Sequence, residues 1–402
     1  FNSLFYLPFL NKALINSGAI FFLLFTNLIL IEKIYNKLKN NKKDFILILA
    51  LFSIVFINTI FYRIAEHGTD RSALILIFIL AIYYLESLGK KINKINFFHY
   101  FGKILFLLTL IASLKSFYLI YFIFIFTIFF EHRKILLKEN FYLKLLKEKI
   151  FYYFLLSTLI FVLTVFSNTG CFIYPASFTC LDTFSWSIPK KEVIEMKTWY
   201  ELWSKAGASP NYRVANYEFY VSGFNWIPNW IENYFFNKVS DFLFSLFVIT
   251  IICIFFLKGK NQIKLFKKKN NIFYFTILIL LLEWFFNHPA LRYGGFTLIA
   301  LSIFIPLSNY LEKNIDLSFR LKKKIITLIL FSLSFFLLKN INRIFNEYKK
   351  YNYNPLVDAH YYIDKNTYHF NKLLFEAKKY KNNNQFYIVL NRDLIKKIQL
   401  NK

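Results

Sequence analysis

Acidic residues, glycine, proline and methionine are all scarce in this 402-residue chain. Glycine and proline number 10 and 8, which excludes a collagen-like repeat and a flexible low-complexity linker. Charged residues make up 18%, below the roughly 25% of an ordinary soluble domain, so the balance points toward lipid. No Gly-rich phosphate loop precedes a Lys-Ser or Lys-Thr pair, and there is no dinucleotide fingerprint, no HExxH and no zinc-type cysteine pair. ATP-driven and redox work inside the chain are therefore not expected, and no cofactor is called for, although a divalent metal stays open. The one methionine is Met196, so the chain is expected to open inside a longer protein.

What is abundant is apolar: 57% of residues are hydrophobic and 22% aromatic. A helix needs roughly 17–25 apolar residues to cross a hydrocarbon core, because an unpaired backbone group in lipid costs several kcal/mol. Ten stretches qualify or nearly do, at 14–31, 45–61, 73–89, 104–114, 117–130, 150–166, 242–257, 272–287, 296–311 and 325–338. The fold class is thus an all-α polytopic membrane protein of about ten transmembrane helices.

The net charge of +27 sits in short runs between apolar stretches rather than on a basic face, which excludes a nucleic-acid partner. Loops 33–43, 90–103, 133–149, 258–269 and 313–324 are lysine-rich, whereas the intervening short turns hold only Arg63, Arg71, Lys115 and Arg292. Short cytoplasmic loops retain Lys and Arg, so the basic loops face the cytoplasm. The alternation survives only if 104–130 crosses twice, as a short hairpin turning at Lys115 and Ser116. The Arg63 turn, residues 167–240, the His288 turn and the C-terminal tail then lie outside.

The expected organisation follows. Residues 1–166 form six spans, 167–240 a periplasmic cap, 241–339 four more spans, and 340–402 a periplasmic tail. In the tail, 371–380 has helical spacing and 385–390 reads as a strand, giving a small α/β appendage. The cap carries equal numbers of acidic and basic residues and five of the six tryptophans, at Trp186, Trp199, Trp203, Trp226 and Trp230. They suit an interfacial aromatic belt or flat platforms for sugar rings. Pro189, Glu192, Glu195 and the later Gly207 frame a helix of about four turns with Met196, Trp199, Tyr200 and Trp203 on one face. A second helix is expected to start near Pro228 and run into the 242–257 span. Cys171 and Cys180, nine apart on the oxidising side with no His nearby, read as a disulfide rather than a metal site.

Two polar clusters stand at the outer membrane face, where charge is costly and is paired or used. The first is Tyr62-Arg63-Ile64-Ala65-Glu66-His67-Gly68-Thr69-Asp70-Arg71. Its arginines can grip a phosphate and Asp70 can take a proton from a hydroxyl; alternatively Thr69 or Asp70 caps the next helix. The second is Glu283-Trp284-Phe285-Phe286-Asn287-His288-Pro289-Ala290-Leu291-Arg292-Tyr293-Gly294-Gly295. Glu283, about one turn inside a span, is expected to neutralise or to find a cation, with Arg292 or His288 nearest in sequence, and a purely structural ion pair is the competing reading. Pro289 and the glycine pair suit a tight re-entry that aims Arg292 back at the membrane.

Four pieces carry a resemblance: Phe1-Asn2-Ser3-Leu4, Glu66-His67-Gly68-Thr69-Asp70, Gly170-Cys171 with Tyr174-Pro175 and Thr179-Cys180, and His288-Pro289 with Arg292-Tyr293. The sequence resembles a bacterial family of multi-span membrane proteins that is similar to GT-C-type glycosyltransferases. The resemblance implies a GT-C-like bundle in the bacterial inner membrane. It also implies inverting transfer of a sugar from a polyprenyl-phosphate carrier, between the outer membrane face and a periplasmic cap. In that family the catalytic acid lies in the first outer loop, upstream of the segment matching Phe1, so this chain alone is expected to be inactive.

The candidate site is then Asp70 and Glu283 for acid–base work, with Arg63, His67, Arg71, Trp199, Trp203, His288, Arg292 and Tyr293 binding substrate. Membrane lipid and a polyprenyl-phosphate-linked sugar are the expected partners. A flippase or transporter of lipid-linked saccharides, or a non-catalytic scaffold, are the competing readings. The absence of a clear internal repeat favours the transferase over transport.

Overall fold

The computed structural model describes residues 17–41, 44–64, 68–88, 94–138, 141–207, 216–257, 271–314 and 317–351. Among these, every regular element is helical. The first four helices are α1 (Ser17–Lys39), α2 (Phe45–Ile60), α3 (Asp70–Ser87) and α4 (Lys94–Leu114). A 3-10 segment, Ser116–Phe122, then leads into α5 (Ile123–Lys138), followed by the short α6 (Phe141–Leu145) and by α7 (Lys149–Thr169). Over the cap come α8 (Lys190–Lys205), α9 (Tyr217–Val221) and α10 (Ile227–Trp230). The last of these passes through a π-helical stretch, Ile231–Val239, into α11 (Ser240–Leu257). The chain continues through α12 (Asn271–Asn287), α13 (Gly295–Asn314) and α14 (Phe319–Tyr351).

The described parts of the ten apolar stretches fall on helical segments, and among the described residues seven helical runs are long and apolar enough to cross a membrane. The helices Phe45–Ile60 and Ile272–Asn287 are apolar but shorter, and α3 carries Asp70, Arg71 and Glu86 at its ends. At Lys115 the helix breaks: α4 ends at Leu114, Lys115 is extended, and the chain re-enters helix at Ser116.

The helix expected to start near Pro228 starts at Ile227 and runs unbroken to Leu257, so the last part of the cap is continuous with a span. One boundary differs from expectation. Helix α14 passes the expected break at 340 and ends at Tyr351, because no glycine or proline interrupts 319–351. The strand at 385–390 and the helix at 371–380 lie outside the described residues.

Residues 19–337 form one compact unit. The other comprises 1–18 with 338–402, whose described part is the start of α1 and the end of α14.

Within the larger unit α2 is the axis. Every residue from Phe45 to Asn58 is buried, and Phe56 meets Phe78 of α3, Phe242 of α11 and Phe304 of α13 with ring centroids 5.3, 6.2 and 5.8 Å away. Polar side chains tie the helices where lipid offers no competing partner. Asn27 and Asn58 exchange amide hydrogen bonds of 3.1 and 2.8 Å between α1 and α2. Tyr84 donates to Thr127 Oγ1 at 2.6 Å, and Thr297 donates to the Leu74 carbonyl at 3.1 Å. At the lysine-rich end, Lys33 of α1 pairs with Glu86 of α3 at 2.6 Å.

At the periphery, α7 has no buried residue and lies against α4. Gly102 permits that approach, since a Cβ there would fall 2.4 Å from Ile150 Cγ2. Gly102→Leu should push α7 outward and cost about 1–3 kcal/mol. A clear drop in the melting temperature of the detergent-purified protein is the expected result, with Ile150→Ala restoring part of it; an unchanged melting temperature would show that the two helices do not pack this closely.

Candidate functional site

Three turns far apart in sequence meet at the end of the bundle away from the Lys33–Glu86 pair. Asp70 opens α3, where the helix N-terminus favours a carboxylate. Thr69 makes no cap to that helix; its hydroxyl donates to the Leu114 carbonyl at 2.6 Å, satisfying a C-terminal group that α4 leaves unbonded. The Asp70 side chain is 4% exposed and held by two cations. Lys115 Nζ lies 2.5 Å from Oδ1 and Arg292 Nε 2.8 Å from Oδ2.

The turn that carries Arg292 is pinned on several sides. Trp230 and Trp284 donate from Nε1 to the carbonyls of Pro289 and Ala290, at 3.2 and 2.9 Å. The Leu291 N–H donates to the Tyr234 hydroxyl at 2.9 Å, and the Tyr118 hydroxyl donates to the Arg292 carbonyl at 3.2 Å. The π-helical stretch supplies Tyr234, and the 3-10 segment supplies Tyr118. Gly294 has φ +124°, and a Cβ on Gly295 would fall 2.3 Å from the Trp284 ring, so the chain re-enters α13 as tightly as the glycine pair suggests.

Aromatic faces flank both cations. Lys115 Nζ is 4.2 Å from the Tyr293 centroid, and the Arg292 guanidinium lies 4.9 Å from Trp203 and 5.2 Å from Tyr293. A cavity of about 490 Å³ opens here. Lys115 and Phe117 form one wall, Lys197 and Tyr200 of α8 a second, His288, Arg292 and Tyr293 a third, and residues 174–178 of the disulfide-closed loop the fourth. That loop is joined by the Cys171–Cys180 disulfide, and the Thr179 hydroxyl donates across it to the Ile173 carbonyl at 2.9 Å. No carboxylate is on the lining among the described residues.

The electrostatics follow from burial. Burial lowers the Lys115 ammonium, with Asp70 opposing it. Burial also pushes His288 down to about 4, the nearby Glu201 opposing and Lys205, Lys115 and Lys197 reinforcing. Tyr293 is pushed up to about 12 by burial. The arrangement is a cationic, aromatic-walled pocket with a neutral imidazole, suited to a phosphate or carboxylate attached to a ring or chain. Asp70 pairs with both cations and anchors them.

Of the expected residues, the structure brings together Asp70, Trp203, His288, Arg292 and Tyr293. The others fall elsewhere. Arg63 is exposed, over the Tyr62 ring at 5.7 Å, and Arg71 lies over Phe61 at 5.9 Å; neither lines the cavity. Trp199 is exposed and stacks on Trp203 at 6.3 Å, also off the lining. Glu283 accepts from Asn287 at 3.1 Å and forms no ion pair among the described residues, because Arg292 is engaged by Asp70. His67 lies outside the described residues.

The sequence reading missed Lys115, Lys197 and Tyr200 as site residues. Lys115 had a signal: it is the one lysine in the short turns of the lysine-poor side.

Fold and site together define a helical protein, built to cross a membrane, with an anion-attracting cavity at one end of its bundle. A family model described as a domain of unknown function, DUF8201, matches residues 1–299, and the chain belongs to that family. No curated protein and no solved structure matches it.

His288 generates a pH prediction. Its folded-state value lies below the ordinary 6.5, so between pH 6.5 and about 4 the unfolded chain binds the extra proton and stability falls with acid. The loss is on the order of 2–3 kcal/mol. In thermal melts from pH 7 to 4, His288→Phe should flatten that part of the decline; an identical slope in the variant would assign the loss to other groups.

Proposed function

We propose that the protein is a multi-pass enzyme of the bacterial inner membrane. It crosses the membrane ten times, with residues 167–240 and 340–402 in the periplasm. In this reading it transfers a sugar from a polyprenyl-phosphate donor in envelope glycan or glycolipid assembly, as GT-C-type glycosyltransferases do. One observation carries it: Lys115, Lys197 and Arg292 converge on a cavity with aromatic walls and no lining carboxylate among the described residues. A lipid-linked phosphate supplies the negative charge that such a pocket lacks, and a sugar ring suits the tyrosine and phenylalanine faces beside it. Lys115 and Arg292 hold the donor phosphate in fixed positions because Asp70 fixes them, and Lys197 approaches from the cap.

The test is sugar incorporation into envelope glycan in cells expressing the full-length protein. Arg292→Ala should abolish incorporation with protein level retained. Lys197→Glu, on an exposed helix face where folding is insensitive, should lower it about tenfold or more, since one phosphate contact is both lost and reversed in sign. Wild-type incorporation in both variants would remove the cavity from the reaction.

A further inference from the structure

Among the described residues, the charge lining the cavity is not balanced. Lys115, Lys197 and Arg292 line it, while the one carboxylate in ion-pair contact with two of them is the shared Asp70. The next carboxylate behind the wall, Glu201, is paired with Lys205 at 2.6 Å and adds nothing to the sum. Three positive charges against one negative leave a surplus of two.

Resting on the transferase reading above, we propose that the cavity is matched to a phosphate monoester dianion. It therefore holds the lipid phosphate set free by transfer more tightly than the sugar-bearing phosphodiester that enters.

The chemistry makes this difference useful. In the transfer, the acceptor oxygen bonds to the anomeric carbon, and the bond from that carbon to the phosphate oxygen breaks. The electron pair of the broken bond stays on the phosphate, and the acceptor's hydroxyl proton passes to solvent. The phosphate goes from a singly charged diester to a doubly charged monoester. A fixed surplus of two positive charges is complementary to the state that forms, so it favours the departure of the leaving group. The same match makes release of the lipid phosphate a slow step.

The groups facing the ligand are Lys115 from the α4 corner, Lys197 and Tyr200 from α8, Tyr174 from the disulfide loop, and His288, Arg292 and Tyr293 from the α12–α13 turn. Asp70 and the Glu201–Lys205 pair stand behind them, and Glu192 acts on Tyr174 from the start of α8. Burial holds His288 near 4 and Tyr293 near 12, and it raises Tyr174 too, so none of these three changes charge between about pH 5 and 8. A phosphate monoester does, with a second pKa of about 6. In that window the ligand titrates; the Lys115 ammonium, lowered by burial, is held charged by the adjoining Asp70 carboxylate.

The experiment places the full-length protein in nanodiscs of zwitterionic lipid and follows tryptophan fluorescence, since Trp203 lies against Arg292. Four probes are titrated: farnesyl phosphate, its methyl diester, farnesol and inorganic phosphate. At pH 8 farnesyl phosphate should bind at least about tenfold more tightly than the diester. The advantage should shrink on going to pH 5, and Lys197→Gln should reduce it at pH 8. Equal affinity for monoester and diester, both above farnesol, overturns the dianion match and leaves the transferase reading standing. If no phosphate probe exceeds farnesol, the phosphate site itself falls and the transferase reading with it. Inorganic phosphate binding as tightly as farnesyl phosphate overturns the lipid as the source of the monoester.

Discussion

One buried carboxylate holds three distant parts of the chain in register. Asp70 sits at the start of α3, Lys115 at the corner after α4 and Arg292 in the turn before α13; the carboxylate accepts a hydrogen bond from Lys115 at 2.5 Å and forms an ion pair with Arg292 at 2.8 Å. A charge this enclosed is costly to leave alone, by several kcal/mol, so removing either partner strains the rest. The reverse imbalance is what faces outward. One carboxylate cannot neutralise two cations, and Lys197 adds a third on the other side of the cavity.

The surroundings make that triad a fixed feature rather than a loose surface cluster. In the 3-10 segment, side chains three residues apart share a face, which sets Tyr118 and Tyr121 side by side with ring centroids 5.4 Å apart. Tyr118 bonds the Arg292 carbonyl, and Tyr121 fills the space that Gly294 leaves, its hydroxyl 3.0 Å from where a Cβ would stand. From the opposite side Trp230, Tyr234 and Trp284 bond the backbone of 289–291. Arg292 is thereby aimed by backbone bonds on both flanks of its turn, and the aromatic content of the chain is spent on orientation as much as on burial.

Much of this was legible in the sequence. The lysine alternation placed the Arg63, Lys115 and Arg292 turns at one end, and the Asp70 ion pairs bring residues of those turns into contact. Pro189 and the charge order of residues 190–205 marked α8, and the spacing of Cys171 and Cys180 marked their bridge. Pairing was less legible, because it depends on how each helix is rotated and how deeply it is set. Glu283 is nine residues from Arg292, yet the cation pairs with Asp70 instead. Arg63 and Arg71 carry the right chemistry for a phosphate but lie against Tyr62 and Phe61, off the cavity. Lys115 read as a punctuation mark in the topology when it is half of the anchor. The extension of α14 past residue 340 was hidden by its polar composition, which says how a helix is solvated and not where it stops.

The central claim is the Asp70–Arg292 ion pair across the bundle end, and a double-mutant cycle tests it most directly. Asp70→Asn, Arg292→Gln and the double variant are made in the full-length protein, and the stability of each is measured in the same detergent. Paired charges predict that the double variant is less damaged than the sum of the singles, with a coupling of about 1–3 kcal/mol. Additive losses would mean that the two side chains do not meet and that the cavity they frame is not built as described.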